Sequence, residues 1–470
     1  MANGIKFLGS RDRSASGENG TPAEMGWGGH LRATMVLGIP LVGAQLGLML
    51  INTTDTVMLG WYSVEALAAA VLATPLFFTV MIFGSGFSQA VMPIAAQAEG
   101  KGDVRGVRRA VRMGLWVALS YSAVVMVPLW HTEDILLAFG QEPAIAALAG
   151  DYMRIAQWAM FPTLVAHGLR AFLSAIERPR IIFWSTVAGV VLNGLLNWAL
   201  IFGNWGAPEL GVRGAAFASL GTTTLTLIIL VAYVTFNRRA SEYEILARFW
   251  RADWPDLLEV LRVGLPIAIT ILAEVGIFVC SSLMMGWLGV VPLAAHGIAI
   301  QLASISFMVP MGMSQAATVR VGRAFGRGDA VALNRAAGTV MAVCIAFSAI
   351  SGLLFWTIPE SLISLFLDNS KPEAPHVIAY AVPLLMIAAL FQLFDGAQVA
   401  GAGLLRGLKD TRVPMWLAIG SYWAVGFTLA YGLGFVADLG GIGVWCGLAA
   451  GLGFAAVTMN VRFVILRPRA

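Results

Sequence analysis

The chain has 470 residues, 58% of them hydrophobic and 12% charged, with a mean hydropathy of +0.79. No soluble core hides that much apolar surface, so the composition excludes an ordinary globular enzyme and points to a polytopic helical membrane protein. The formal charge of +4 follows from where the charges sit and asks for no nucleic acid partner, and Cys280, Cys344 and Cys446, all inside apolar runs, form no disulfide or metal pattern.

Residues 1–32 are rich in Gly, Ser and charge, and Lys6, Arg11, Asp12, Arg13 and Glu18 break any apolar core of a signal peptide. They are expected to form a flexible cytoplasmic tail. Apolar runs then predict twelve spans, near 33–60, 66–97, 113–130, 149–172, 181–203, 212–236, 259–287, 292–319, 336–357, 377–405, 413–436 and 442–463. The expected fold is therefore an all-α polytopic membrane protein. Its divisions are an N-terminal six-helix lobe over 33–236, a linker over 237–258, a C-terminal six-helix lobe over 259–463 and a tail over 464–470.

Of 30 Lys and Arg, only Arg154, Arg213 and Lys371 fall at or near the outer joints, while Glu133, Asp134, Glu142, Glu209, Glu360, Asp368, Glu373 and Asp438 gather there. The positive-inside rule then predicts both termini in the cytoplasm. The linker, with Glu242, Glu244, Trp250, Asp253 and Asp256, reads as an amphipathic connector that needs no functional role.

The chain repeats itself. A shift of 226 residues pairs Pro40 with Pro266, Met58-Leu59-Gly60-Trp61 with Met284-Met285-Gly286-Trp287, and Gly100-Lys101-Gly102-Asp103 with Gly326-Arg327-Gly328-Asp329. Roughly a third of the ungapped positions are identical, more than shared hydrophobicity gives. Six spans per half means that both halves enter the membrane in the same sense, related by an axis along its normal, with a substrate site expected between them.

Residues that the scaffold needs should recur, whereas residues that the chemistry needs are free to differ. Asp55 aligns with Ser281, Glu274 with Leu48 and, at a local shift of 232, Asp395 with Thr163. All three intramembrane carboxylates break the symmetry. Each is costly in a bilayer, by roughly 2.5–3.5 kcal/mol for an Asp at a helix centre, and so asks for a cavity or a partner.

Counted from the span ends, Glu274 and Asp395 lie within about 10 Å of the same depth. Together they are able to hold a small cation or a proton. The plainer reading is a carboxylate neutralised by an adjacent Arg. Asp55 is expected in the outer half of the N-terminal lobe, with a structural, partly hydrated carboxylate as its plainer reading. Asn193 and Asn197 share a helix face and offer either a polar patch or interhelical hydrogen bonds.

His167, Arg170 and His296 read as interfacial or satisfied polar residues. Phe391, Tyr422 and Trp423 offer aromatic faces for an organic cation, or simple burial. Arg406, Lys409 and Arg412 are expected where the chain re-enters water. No nucleophile with a base, His/Cys cluster or P-loop is found, so neither catalysis nor ATP is implied and any pumping energy should come from an ion gradient.

These residues resemble those of the NorM-type branch of the multidrug and toxic compound extrusion (MATE) transporters over nearly the whole chain. The likeness rests on Asp55-Thr56-Val57-Met58-Leu59-Gly60, on Ala273-Glu274-Val275, and on Asp395 with Gly401-Ala402-Gly403, Arg406-Gly407 and Lys409-Asp410-Thr411. It implies a monomeric twelve-helix antiporter of the bacterial inner membrane that needs no cofactor and exports cationic amphipathic compounds in exchange for Na+ or H+. It also implies a cation site at Glu274 and Asp395, with Asp55, Asn193 and Asn197 serving the N-terminal lobe. Phe391 stands where some relatives are expected to carry Tyr, which removes an aromatic hydroxyl from the ion site. Two rival functions stand beside this one: a flippase for lipid-linked oligosaccharides, which predicts a cavity lined by Arg and Lys, and a membrane-embedded lipid enzyme.

Overall fold

The computed structural model describes residues 25–367 and 374–468, and their regular structure is helical. Asp368, Lys371 and Glu373, placed at an outer joint, and most of the N-terminal tail lie outside the described residues. The helices are α1 (Trp27–Tyr62), α2 (Val64–Gly100), α3 (Val104–Trp130), α4 (Pro143–Ala156), α5 (Met160–Ala175), α6 (Pro179–Phe202) and α7 (Val212–Phe236) in the first half. In the second half they are α8 (Trp254–Leu288), α9 (Val290–Arg327), α10 (Ala330–Thr357), α11 (Ala374–Gly407), α12 (Arg412–Ile419) and α13 (Gly440–Leu466).

Among the described residues eleven stretches are long and apolar enough to cross a membrane, with α12 running on to Val436 as one of them. The twelfth span is α4 and α5 together. It begins earlier than the expected 149–172 because Pro143 starts the helix at a position where its missing N–H costs nothing, and the 3-10 turn Gln157–Ala159 interrupts it. The eleventh span also departs from a plain α-helix, since Gly420–Phe427 and Gly432–Val436 are wound as π-helix. Such widened turns often sit at functional positions.

Capping repeats with the sequence. Asp103 accepts from the N–H of Gly106 at 2.9 Å, and Asp329 from that of Ala332 at 2.8 Å, so each Gly-x-Gly-Asp joint starts the next helix in the same way. Trp61 and Trp287, paired by the repeat, are each 69% exposed at one rim; Trp184 and Trp416 are 62% and 66% exposed at the other. Aromatic side chains left outside in matched pairs are what a bilayer interface selects.

The two six-helix lobes are pseudo-symmetric and meet by exchanging equivalent contacts. α1 packs on α9 and α2 packs on α8, and α2 also crosses α9. At that crossing a Cβ on Gly100 would lie 2.3 Å from the carbonyl oxygen of Arg323, and one on Gly326 would lie 2.2 Å from that of Gln97. The shift of 226 turns each contact into the other, so only glycine fits at either position. Gln97 adds a hydrogen bond across the halves, from its side-chain amide to the carbonyl of Gly407 at 2.8 Å. Arg323 bridges to Glu177 at 2.6 Å. These close contacts lie towards the end of the bundle that carries the basic joints.

The connector between α7 and α8 is mostly turns, with one short helix, Arg238–Ser241. The reason is local: Glu244 and Arg248 adopt left-handed backbone at φ 44° and 54°, which interrupts helical winding.

Candidate functional site

The first lobe holds a cavity of about 300 Å³ whose lining surface is mostly apolar but whose residues include several threonines along with Asp55, Tyr152, His167, Arg170 and Ser219. α1 carries Asp55 to its wall. α6 presents Asn193 and Asn197 one turn apart, both fully buried, and both side-chain amides donate to Asp55 Oδ1, at 2.8 and 2.5 Å. Ser219 on α7 donates to Oδ2 at 2.9 Å. Three donors from two helices fix the carboxylate without neutralising it. The asparagines thus supply interhelical hydrogen bonds.

Ser219 carries no signal in the sequence that separates it from the other small residues of its helix. His167 and Arg170 are a correction: both line this cavity, because α5 turns their face inward rather than to the interface. Arg170 Nη2 approaches Thr186 Oγ1 at 3.4 Å and its Nε is buried with no hydrogen-bond partner. The cavity therefore holds a fixed cation as well as Asp55.

In the second lobe α8 carries Glu274 and α11 carries Asp395, and the two carboxylates interact electrostatically. Asp395 is buried, and its Oδ1 has no hydrogen-bond partner. Among the described residues neither carboxylate forms an ion pair within 4.0 Å, the bridges being those of other acids. Arg406 is a second correction. It stands within electrostatic range of Glu274 and Tyr422, because α11 stays helical to Gly407 and keeps that side chain inside instead of releasing it to water. Lys409 and Arg412 do lie past the end of α11, and Lys409 pairs with Glu259 at 2.6 Å.

Phe391 sits in an aromatic cluster, 6.1 Å from Phe278 and 5.7 Å from Trp445 by ring centroids. It is buried, so it packs inside the lobe rather than offering an open face. Tyr422, in the first π-helical stretch, stands within electrostatic range of both Glu274 and Asp395, and its buried Oη has no hydrogen-bond partner. Trp423 is part-exposed and stacks on Phe427 at 5.8 Å. His296 Nε2 lies 3.1 Å from Ser282 Oγ, while its buried Nδ1 has no hydrogen-bond partner.

The repeat relates the two sites. Leu48 and Thr163, the counterparts of Glu274 and Asp395, both line the first-lobe cavity. Equivalent places in the two lobes are thus occupied by different chemistry. Among the described residues no group of three or more His, Cys, Asp or Glu forms a metal cage. An ion at Glu274 and Asp395 would complete its shell from hydroxyls, carbonyls and water.

Two pseudo-symmetric helical lobes with ionisable groups held inside each define a membrane-transporter scaffold. The chain matches the MatE family over residues 40–199 and 266–432, one match in each half. It is 49% identical over 443 residues to a protein of Rhizobium meliloti described as probable multidrug resistance protein NorM, covering 94% of this chain and 95% of that one. A protein of Agrobacterium fabrum with the same description is 50% identical over equal coverage. The fold is shared with the eukaryotic MATE transporter AtDTX14, at a TM-score of 0.83, 20% identity and 94% and 97% of the two chains. An outward-facing multidrug resistance MATE family transporter of the MOP superfamily matches at the same TM-score, identity and coverage. The chain belongs to the MatE family, in its NorM-type branch, and is a transporter rather than an enzyme.

Proposed function

We propose that the protein is a secondary multidrug exporter that moves cationic amphipathic compounds out of the cell in exchange for Na+ or H+. The reading is carried by Glu274 and Asp395, two interior carboxylates that no ion pair satisfies. A like-charged pair at low dielectric is relieved by taking up a cation or a proton. The names of the curated relatives support multidrug export, and the mostly apolar cavity beside Asp55 suits an amphipathic ligand.

In this reading the basic-joint end faces the cytoplasm, both chain ends lie inside, and the lobes span 33–236 and 259–463 of a monomer in the bacterial inner membrane. The tight crossing of α2 and α9 at that end supports a state closed towards the cytoplasm. Ion entry at Glu274 and Asp395 favours one arrangement of the lobes and drug binding the other, with a coupling no larger than each ligand's differential affinity for the two states.

The test is drug efflux from proteoliposomes with Na+ and pH gradients imposed separately. One gradient should drive transport and the other should not. Transport that ignores both gradients overturns the antiport reading. Arg170 and Arg406 are the interior basic groups that a flippase for lipid-linked oligosaccharides requires, so the same vesicles should also be assayed for lipid-pyrophosphate scrambling, which is expected to be absent.

A further inference from the structure

The basic end of the bundle holds a second cavity that the transport reading leaves unused. It measures about 610 Å³ and lies between the start of α3 and the connector. Arg105, Arg108, Arg109, Arg112, Arg248 and Arg251 line it against only two carboxylates, Glu244 and Asp253. Arg108 pairs with Glu244 at 2.7 Å, and Arg109 with Asp253 at 3.2 Å and Asp256 at 3.9 Å. Arg112 donates from Nη1 to the carbonyl of Arg248 at 2.9 Å, while its Nε is buried with no hydrogen-bond partner. The side chains of Arg105, Arg248 and Arg251 make no ion pair or hydrogen bond among the described residues.

Four guanidinium groups thus face one space without a carboxylate to match them. Like charges so gathered repel, and the carboxylates beside them are already paired with Arg108 and Arg109. A phosphate does, because its oxygens accept the paired N–H donors of several arginines at once. The surface around it is apolar: Trp250 on the connector is 79% and Trp254 at the start of α8 65% exposed, and Leu246 on the connector and Leu258 on α8 are exposed as well. Tryptophan and leucine left outside next to a basic hollow belong at the headgroup level of a bilayer.

We propose that this cavity binds the phosphate of an anionic phospholipid headgroup, with the acyl chains running past Trp250 and Trp254. A free phosphate shares the chemistry, but it has no use for the apolar rim. The occupied site would tie the connector to α3 and so brace the segment that joins the two lobes.

The test uses the full chain in detergent micelles, titrated by native mass spectrometry with tetraoleoyl cardiolipin, dioleoyl phosphatidylcholine and inorganic pyrophosphate. Cardiolipin should bind at least about tenfold more tightly than phosphatidylcholine. The variant R105Q/R248Q/R251Q should weaken cardiolipin binding on the order of 100-fold, as the loss of three surface cations near an anionic lipid implies. Equal binding of the two lipids by the unaltered protein overturns the proposal, whatever the variant does. So does a variant within threefold of the parent, or pyrophosphate binding tightly where cardiolipin does not.

Discussion

Gly86 meets Ala268 backbone to backbone: a Cβ on the glycine would lie 2.5 Å from the Cα of Ala268. The repeat maps this pair onto Gly312 and Val42, and there a Cβ on Gly312 would lie 2.7 Å from the Cα of Val42. The lobes are therefore held by one contact made twice, with each half playing both parts.

Gly86→Leu and Gly312→Leu should then behave alike. Each forces helices apart at a crossing with no free space, and overpacking of this kind costs about 1–3 kcal/mol. Both variants are expected to melt earlier in detergent and to lose most efflux. A harmless change at one site with a damaging one at the other would mean that the two crossings are not equivalent in use.

Glu274→Gln and Asp395→Asn each remove one negative group and keep its shape. Ion-driven efflux from vesicles is expected to fall to background in both, while the folded protein still reaches the membrane. Retained transport in both variants would sink the ion site.

Asp55 organises its neighbours. Asp55→Ala strips Asn193, Asn197 and Ser219 of their acceptor and should cost about 1–3 kcal/mol for each buried donor left unpaired. Asp55→Asn keeps an acceptor oxygen and should be the more stable of the two, yet still bind a cationic drug less tightly. Thermal melting and drug titration of the purified variants separate the two effects; equal melting of Ala and Asn variants argues against a structural share.

Tyr422→Phe removes a buried hydroxyl that has no partner in the protein. Melting temperature should hold or rise, because an unsatisfied group is deleted. If that hydroxyl completes the ion's shell, affinity for the coupling ion should drop roughly tenfold, the scale of a hydrogen bond to a charged group. Fluorescence titration with Na+ and with acid checks it, and an unchanged ion affinity removes Tyr422 from the site.

Much of the fold was legible because a bilayer imposes a simple code: apolar length, basic joints and the 226-residue echo are all written in one dimension. The carboxylates were legible because they break that echo. Arg170 and Arg406 were misjudged because charge near a span end looks the same in sequence whether the helix turns it to water or inward. Ser219 and Tyr422 became visible only when separate helices were brought together. The 3-10 break at Gln157 and the π-helical winding from Gly420 follow from tertiary packing, which no local pattern announces.

Leu48 and Thr163 sit where the opposite lobe keeps its two acids. The architecture thus repeats one framework around two different sets of side chains, with Asp55 as the acid on the wall of the first-lobe cavity. Duplication furnished two equal seats, and selection has furnished them with unequal occupants.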